Sequence, residues 1–470
     1  MYVRALWLML TLAVLVCAGT PGRAQQSSSA VLWRVPAMGT APLPELMDRG
    51  LLPVEQGTAM RPQLALLELA TGKVRWSVPV PAAPDALNAT DDSVLVSTTG
   101  FWGAVDAKDG SIRWGQNSFS GVDAPTPDDA RAWMSGEVPG WQPIANAFLV
   151  RGGLVCCSQG GKVYALNPAT GEVQWQAAAG FAVTAPLTPL DDRVLVGTTD
   201  AVGAFDAKSG ELKWAQRVGI VHSITVAEGE VYVCHVDKLS RLDAADGRIL
   251  WTQQLPGGAL MALDVVPGKI VALLGKGVRV LKRDTGEMLW QATTAGLETV
   301  LLNGRLLYRT PDMNCVHAQN LADLSVAWEV ECHPQESIHL VGLGKAVAVV
   351  GPTGVTALDQ ETGTPVWTWQ ADPGDMVEPG VCAQDQRVLC LCTNKMLVCL
   401  RPTDGSLLLA VSGDYWNVSG MTLHGDRVYI LVGGMPEGLL EAVALPVKTG
   451  EATVPQQPAT GTDKGKAGTQ

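Results

Sequence analysis

Charge is scarce in this chain: Asp, Glu, Lys and Arg make up 17% of 470 residues, and acids outnumber bases 46 to 34, for a net charge of −12. No basic stripe exists to meet phosphates, which argues against nucleic acid as a partner. The same acidity disfavours docking on anionic lipid. Histidine is rare, with six residues scattered and unclustered, and no Cys-x-x-Cys-His occurs, so no c-type haem site is written here. Long apolar runs are missing too. The longest, Ala5 to Ala18, spans about fourteen residues, short of the roughly 20 that cross a bilayer. With Arg4 before it and small residues after it, residues 1–24 read as a signal peptide cut after Ala24. Cys17 offers the alternative of a lipid anchor, but Val16 stands where a lipobox needs a small residue. The mature protein is therefore expected outside the cytoplasm, secreted or periplasmic. Setting Cys17 aside leaves an odd number of the 10 cysteines in a compartment that permits disulfides.

Phe and Tyr are sparse at 5 and 6, yet Trp numbers 15, alongside 51 Gly and 29 Pro. That balance suggests many short strands and turns, and the tryptophans carry the organisation. The segments "LELATGKVRW", "VDAKDGSIRW", "LNPATGEVQW", "FDAKSGELKW", "LDAADGRILW", "LKRDTGEMLW" and "LDQETGTPVW" end at Trp76, Trp114, Trp175, Trp214, Trp251, Trp290 and Trp367. A worn copy ends at Trp328, another has Leu409 in the Trp place, and "LPVKTGEATV" closes the series without Trp. Successive positions lie 38, 61, 39, 37, 39, 38 and 39 residues apart, then 42 to Leu409. The long interval marks an insertion at 115–141.

Each unit shows alternating apolar runs, a turn, a second run, and a Gly turn before the Trp-bearing run. Three or four antiparallel strands per 39 residues describe a propeller blade, and the absence of i, i+3, i+4 patterning excludes a helical solenoid. The fold class is all-β: one propeller over residues 25–450, built of four-stranded antiparallel blades. Ten turn units end near Gly72, Gly110, Gly171, Gly210, Gly247, Gly286, Asp323, Gly363, Gly405 and Gly450, allowing eight to ten blades. Trp33, ahead of the first full unit, reads as a lone outer strand that completes the last blade. The eight blade Trp residues are expected to pack between blades, each N–H on a neighbouring carbonyl. Residues 451–470 read as a disordered tail.

The Ala-x-Asp-x-x-Thr-Gly-x-x-x-Trp pattern resembles the pyrroloquinoline quinone (PQQ)-type propeller repeat, shared by quinoprotein dehydrogenases and BamB-like envelope proteins. The resemblance implies the fold and, with that family's usual count, eight blades. It leaves function open, since catalytic and purely binding members share the repeat. A dehydrogenase of this kind needs PQQ, a calcium ion held by Glu, Asn or Asp, and an Asp base, and it carries vicinal cysteines in a loop at the cofactor. Here Cys156 and Cys157 align with "LVGTT" of the next unit, inside a blade strand, where neighbouring side chains point to opposite faces. No cofactor, metal or catalytic residue is therefore expected. Cys234-His235 and Cys332-His333 are lone pairs without metal-ligand partners. A two-residue turn at Asn394-Lys395 sets Cys390 opposite Cys399, as a disulfide or as two small buried residues. Cys315 with Cys332 is a second candidate pair.

The expected function is a non-catalytic, monomeric propeller that binds a protein partner through its loops or face, as BamB-like proteins do. The 115–141 insertion, with Trp133 and Trp141, is the candidate contact element; the alternative role for those two Trp is packing of the loop onto the ring. The alternatives are a PQQ-dependent alcohol or sugar dehydrogenase with a diverged site, and an extracellular sensor or carbohydrate-binding propeller.

Overall fold

Alternating runs and Gly turns produce forty strands among the described residues, and they pair into ten antiparallel sheets of four. In this computed structural model the described residues are 30–446, except 41, 59–60, 81, 99–100, 118–148, 152, 160, 257–259, 294–298, 311–314, 332–338 and 434–437. The sheets are the blades of one propeller. Numbered along the chain, blades 1 to 9 cover residues 39–79, 84–117, 149–178, 188–217, 221–254, 260–292, 299–331, 339–370 and 377–412. Ten blades form the ring, two more than the family's usual eight.

Blade 10 is composite. Its inner three strands are Val418–His424, Arg427–Val432 and Leu439–Ala444, and its outer strand is Val31–Pro36 from the other end of the chain. Arg34 lies opposite Glu441 and Val35 opposite Leu440. Trp33 thus occupies the outer-strand place for which the tenth unit has no Trp of its own, and the ring is closed by non-covalent pairing of the two ends.

Every blade runs inner, second, third, outer. Antiparallel pairing puts second-to-third turns and the links between blades on one face of the ring, here called the link face. Inner-to-second and third-to-outer turns lie on the other, the turn face. Cores form between blades: Trp214, Leu195 and Ala204 of blade 4 pack with Val221, Val231 and Val233 of blade 5. In blade 1 the inner strand is only Gly39–Thr40, and a four-residue helix, Pro44–Met47, covers part of the second strand and buries Leu46 and Met47.

Candidate interaction face

The Trp repeat is a chain of identical contacts. Trp76, Trp114, Trp175, Trp214, Trp251, Trp328 and Trp367 each donate the indole N–H to a main-chain carbonyl of the following blade, at 2.8 to 3.2 Å. That carbonyl lies three residues before the turn Gly, whose bare Cα faces the ring. At Gly210, with φ +73°, an added Cβ would fall 2.5 Å from the Trp175 ring. Glycine is needed there twice over, for the left-handed backbone and for the indole's approach. Trp33 makes the same contact between blades 10 and 1, donating to Leu69 at 3.0 Å and lying on Gly72.

Trp290 departs from the expectation. Its counterpart turn carries Leu324 (φ +62°) in the Gly position, so the left-handed residue is Leu324 and not Asp323. Leu324 and Trp290 pack against the same interblade core, without the bare Cα on which the other indoles lie. Trp290 is only half-buried, sits edge-on to Tyr308 with centroids 5.2 Å apart, and has no carbonyl partner among the described residues.

The two faces differ in chemistry. Fourteen large apolar side chains are exposed among the described residues; eight sit on outer strands at the rim, and the other six lie on the link face. These six are Phe181, Ile220, Val236, Met376, Trp416 and Leu439. The turns of the opposite face hold none; they carry Asp191, Asp192, Asp206, Asp246, Asp359 and Glu361. Met376 and Trp416 are 53% and 54% exposed, and both flank the Asn394-Lys395 turn of blade 9. The Asn394 main-chain N–H donates to the Met376 carbonyl at 2.9 Å, while its side-chain Oδ1 accepts the Met376 N–H at 2.9 Å. Lys395 pairs with buried Asp375. Its carbonyl accepts the Gly413 N–H at 2.9 Å, and next to Trp416 the buried Tyr415 donates its hydroxyl to Glu441 at 2.8 Å. The main chain that carries these two exposed side chains is thus held by hydrogen bonds to a turn in which Asn394 is buried and Lys395 is exposed, which limits the backbone freedom that ordering them would cost.

The insertion leaves from this same face, because it joins the outer strand of blade 2 to the inner strand of blade 3. Residues 115–117 of it belong to that outer strand, Ile112–Asn117. Trp133 and Trp141 lie outside the described residues, as do the signal-peptide region, Cys17, Cys332, His333, Gly450 and the tail. The insertion does not open the ring, since Trp114 still reaches Pro168 of blade 3 at 2.8 Å.

A family model described as outer membrane protein assembly factor BamB matches residues 103–219, 199–302, 274–411 and 353–453, together well over half of the chain. The chain belongs to this family. BamB of Yersinia pestis is 23% identical over 267 residues, which are 51% of this chain and 65% of that protein. A tetrathionate hydrolase of Acidithiobacillus ferrooxidans is 24% identical over 287 residues, 55% of this chain and 56% of the hydrolase. The matches therefore span less than two thirds of the length of these relatives. Among solved structures, BamB from Moraxella catarrhalis aligns with 63% of this chain and 96% of its own at 13% identity and a TM-score of 0.38. The computationally designed Ika8 protein aligns with 66% and 98% at 14% identity and a TM-score of 0.39.

In this BamB-family chain the described cysteines lie in strands. Cys156 and Cys157 are adjacent in Leu154–Gln159, yet Cys156 packs toward blade 4 with Val194 and Phe205 while Cys157 packs toward blade 2 with Leu95 and Trp114. Burial pushes the Cys156 thiol up to about 12. Cys234 and His235 are buried in blade 5, where His235 Nε2 meets Ser240 Oγ at 2.7 Å and burial lowers the imidazole's pKa. Cys390 and Cys399 lie opposite one another in blade 9, fully buried, with sulfurs 3.2 Å apart. Among the described residues no three His, Cys, Asp or Glu gather as a metal site. The cleft of about 400 Å³ between blades 10 and 1 is walled by Met38, Met47, Met421, Leu431 and Tyr429 and has no carboxylate in its lining. Sequence reasoning missed Met376 and Trp416. Their signal was an apolar residue in a polar interblade link, visible only once the link boundaries are known.

Proposed function

We propose that this protein is a non-catalytic, cell-envelope propeller that docks a protein partner on its link face. The observation that carries the reading is the pair Met376 and Trp416, more than half exposed on main chain that is hydrogen-bonded to the Asn394–Lys395 turn. Aromatic and Met side chains presented this way are the usual energetic anchors of protein interfaces. The link-face origin of the insertion supports the same surface, and the family's name as an assembly factor of outer membrane proteins supports an envelope partner. No helix among the described residues is long and apolar enough to cross a membrane. The polar, acid-rich turn face has no equivalent anchor among the described residues.

The test compares Trp416→Ala and Met376→Ala with Asp246→Ala on the turn face, in co-purification from solubilised envelopes. The reading expects the first two to lose a partner that wild type and Asp246→Ala retain. Equal retention by all would refute it. Adding PQQ and Ca²⁺ to the purified protein is the companion assay: a bound quinone with alcohol- or sugar-dependent dye reduction would return the dehydrogenase alternative to first place.

A further inference from the structure

We propose that Cys390 and Cys399 are joined by a disulfide in the protein folded in an oxidising compartment, an inference that rests on the envelope reading for its setting. They are directly opposed in register on Leu389–Thr393 and Met396–Leu400, neither side chain reaches solvent, and the sulfurs stand 3.2 Å apart. A disulfide needs Cβ atoms about 3.5 to 4.5 Å apart, at the near end of the about 4.5 to 5.5 Å usual for opposed antiparallel residues, so the two strands draw slightly together as the bond forms.

The place of the pair in the repeat gives it a role. Cys399 pairs with Leu409 on the outer strand, and Leu409 is where the other units carry Trp. The same site is Leu95 with Ala104 in blade 2, Leu195 with Ala204 in blade 4, and Ala348 with Ala357 in blade 8. Blade 3 carries a single sulfur at this site, Cys156 opposite Ala165, whereas blade 9 carries two, and blade 9 lacks the indole that locks onto the next. The next is blade 10, which the two chain ends assemble. A covalent tie between the second and third strands also underpins the Asn394–Lys395 turn that presents Met376 and Trp416.

The chemistry is thiol–disulfide exchange during folding, before burial. One thiolate attacks a disulfide oxidant such as glutathione disulfide and releases one glutathione thiolate; the second thiolate then attacks the mixed disulfide and releases the other. The Cys390–Cys399 bond forms as the oxidant's bond breaks. The two thiols lose two electrons and two protons, and the oxidant leaves as two thiols.

The test refolds the full chain with glutathione disulfide, blocks remaining thiols under denaturing conditions, and maps the peptides. The expected result is one linked peptide joining Cys390 to Cys399, with Cys156 and Cys157 blocked as free thiols. Both cysteines blocked, or Cys399 linked instead to Cys392, would overturn the proposal. A second reading uses the Cys390→Ala/Cys399→Ala variant, which copies the pair of blade 8 and so keeps a packable core. Reductant should lower the unfolding temperature of wild type and leave that of the variant unchanged; an equal response in both would count against the disulfide. Because refolding is done in vitro, a bond that forms there but is absent from cell-derived protein would fault the compartment and leave the pairing intact.

Discussion

The indole of Trp175 and the bare Cα of Gly210 are two halves of one contact, and each predicts a different failure. Trp175→Ala removes a buried ring and leaves the Ala207 carbonyl without its 3.1 Å donor, a loss of about 3–5 kcal/mol by analogy with core aromatics. Gly210→Ala keeps the ring but drives a Cβ into it from a left-handed backbone, so it should also destabilise, by about 1–3 kcal/mol. Trp290→Ala should cost clearly less than Trp175→Ala, because that indole is half-buried and has no carbonyl partner among the described residues. Denaturant unfolding of the three variants checks the order. The buried thiol of Cys156, with its pKa pushed up to about 12, makes a further prediction at this scale. The thiolate is the reactive form, so the native protein at pH 8 should resist alkylation at Cys156, and denaturation should expose it. Rapid native labelling would contradict the burial.

At the scale of the element, the third-to-outer turn is held by its first residue. Asp206 accepts the Ser209 N–H at 2.8 Å and Asp359 accepts the Thr362 N–H at 2.9 Å. These backbone bonds hold both carboxyls below their ordinary value. A depressed folded pKa contributes stability above the unfolded value of about 3.9 and loses it as pH falls through the folded value. Their contribution should therefore be constant from neutral pH to about 4 and fade below it. Asn167 fills the same place in blade 3, taking the Ala169 N–H at 2.8 Å. The Asp206→Asn/Asp359→Asn variant should accordingly keep the turns and flatten the acid limb of a melting-temperature profile. An unchanged limb would show that these carboxylates contribute little to it. This turn and its Trp were legible in the sequence because donor, acceptor and glycine recur at fixed offsets in most of the units. Ten turn units were countable for the same reason, which left the blade number between eight and ten, and Trp33 was legible as a stray outer strand. What was not legible is what the repeat does not encode. Leu324 replaces the glycine that would face an indole 34 residues earlier in the chain, the Pro44–Met47 helix stands in for most of an inner strand, and the links holding Met376 and Trp416 obey no offset.

For the whole molecule, ring closure and the proposed docking surface meet beside blade 10. Arg34, from the N-terminal strand, donates to Glu441 at 2.5 Å, and Glu441 is almost fully buried and also takes the Tyr415 hydroxyl. Arg34→Met leaves that carboxylate with Tyr415 alone. With Arg34 itself 47% exposed, the cost should be about 1.5–3 kcal/mol, below that of breaking a fully buried pair. Its signature should be early loss of protection from hydrogen exchange in Leu439–Ala444. Beside this clasp stands Trp416, where truncation to Ala should weaken a protein complex by about 2 kcal/mol, on the order of thirtyfold in Kd. The most direct test of link-face docking is a photo-crosslinking amino acid placed at 416 and, separately, at 246 on the turn face, irradiated in intact cells. The account predicts a discrete protein adduct from position 416 and none from position 246. Adducts of equal yield from both, or an adduct from position 246 alone, would contradict it.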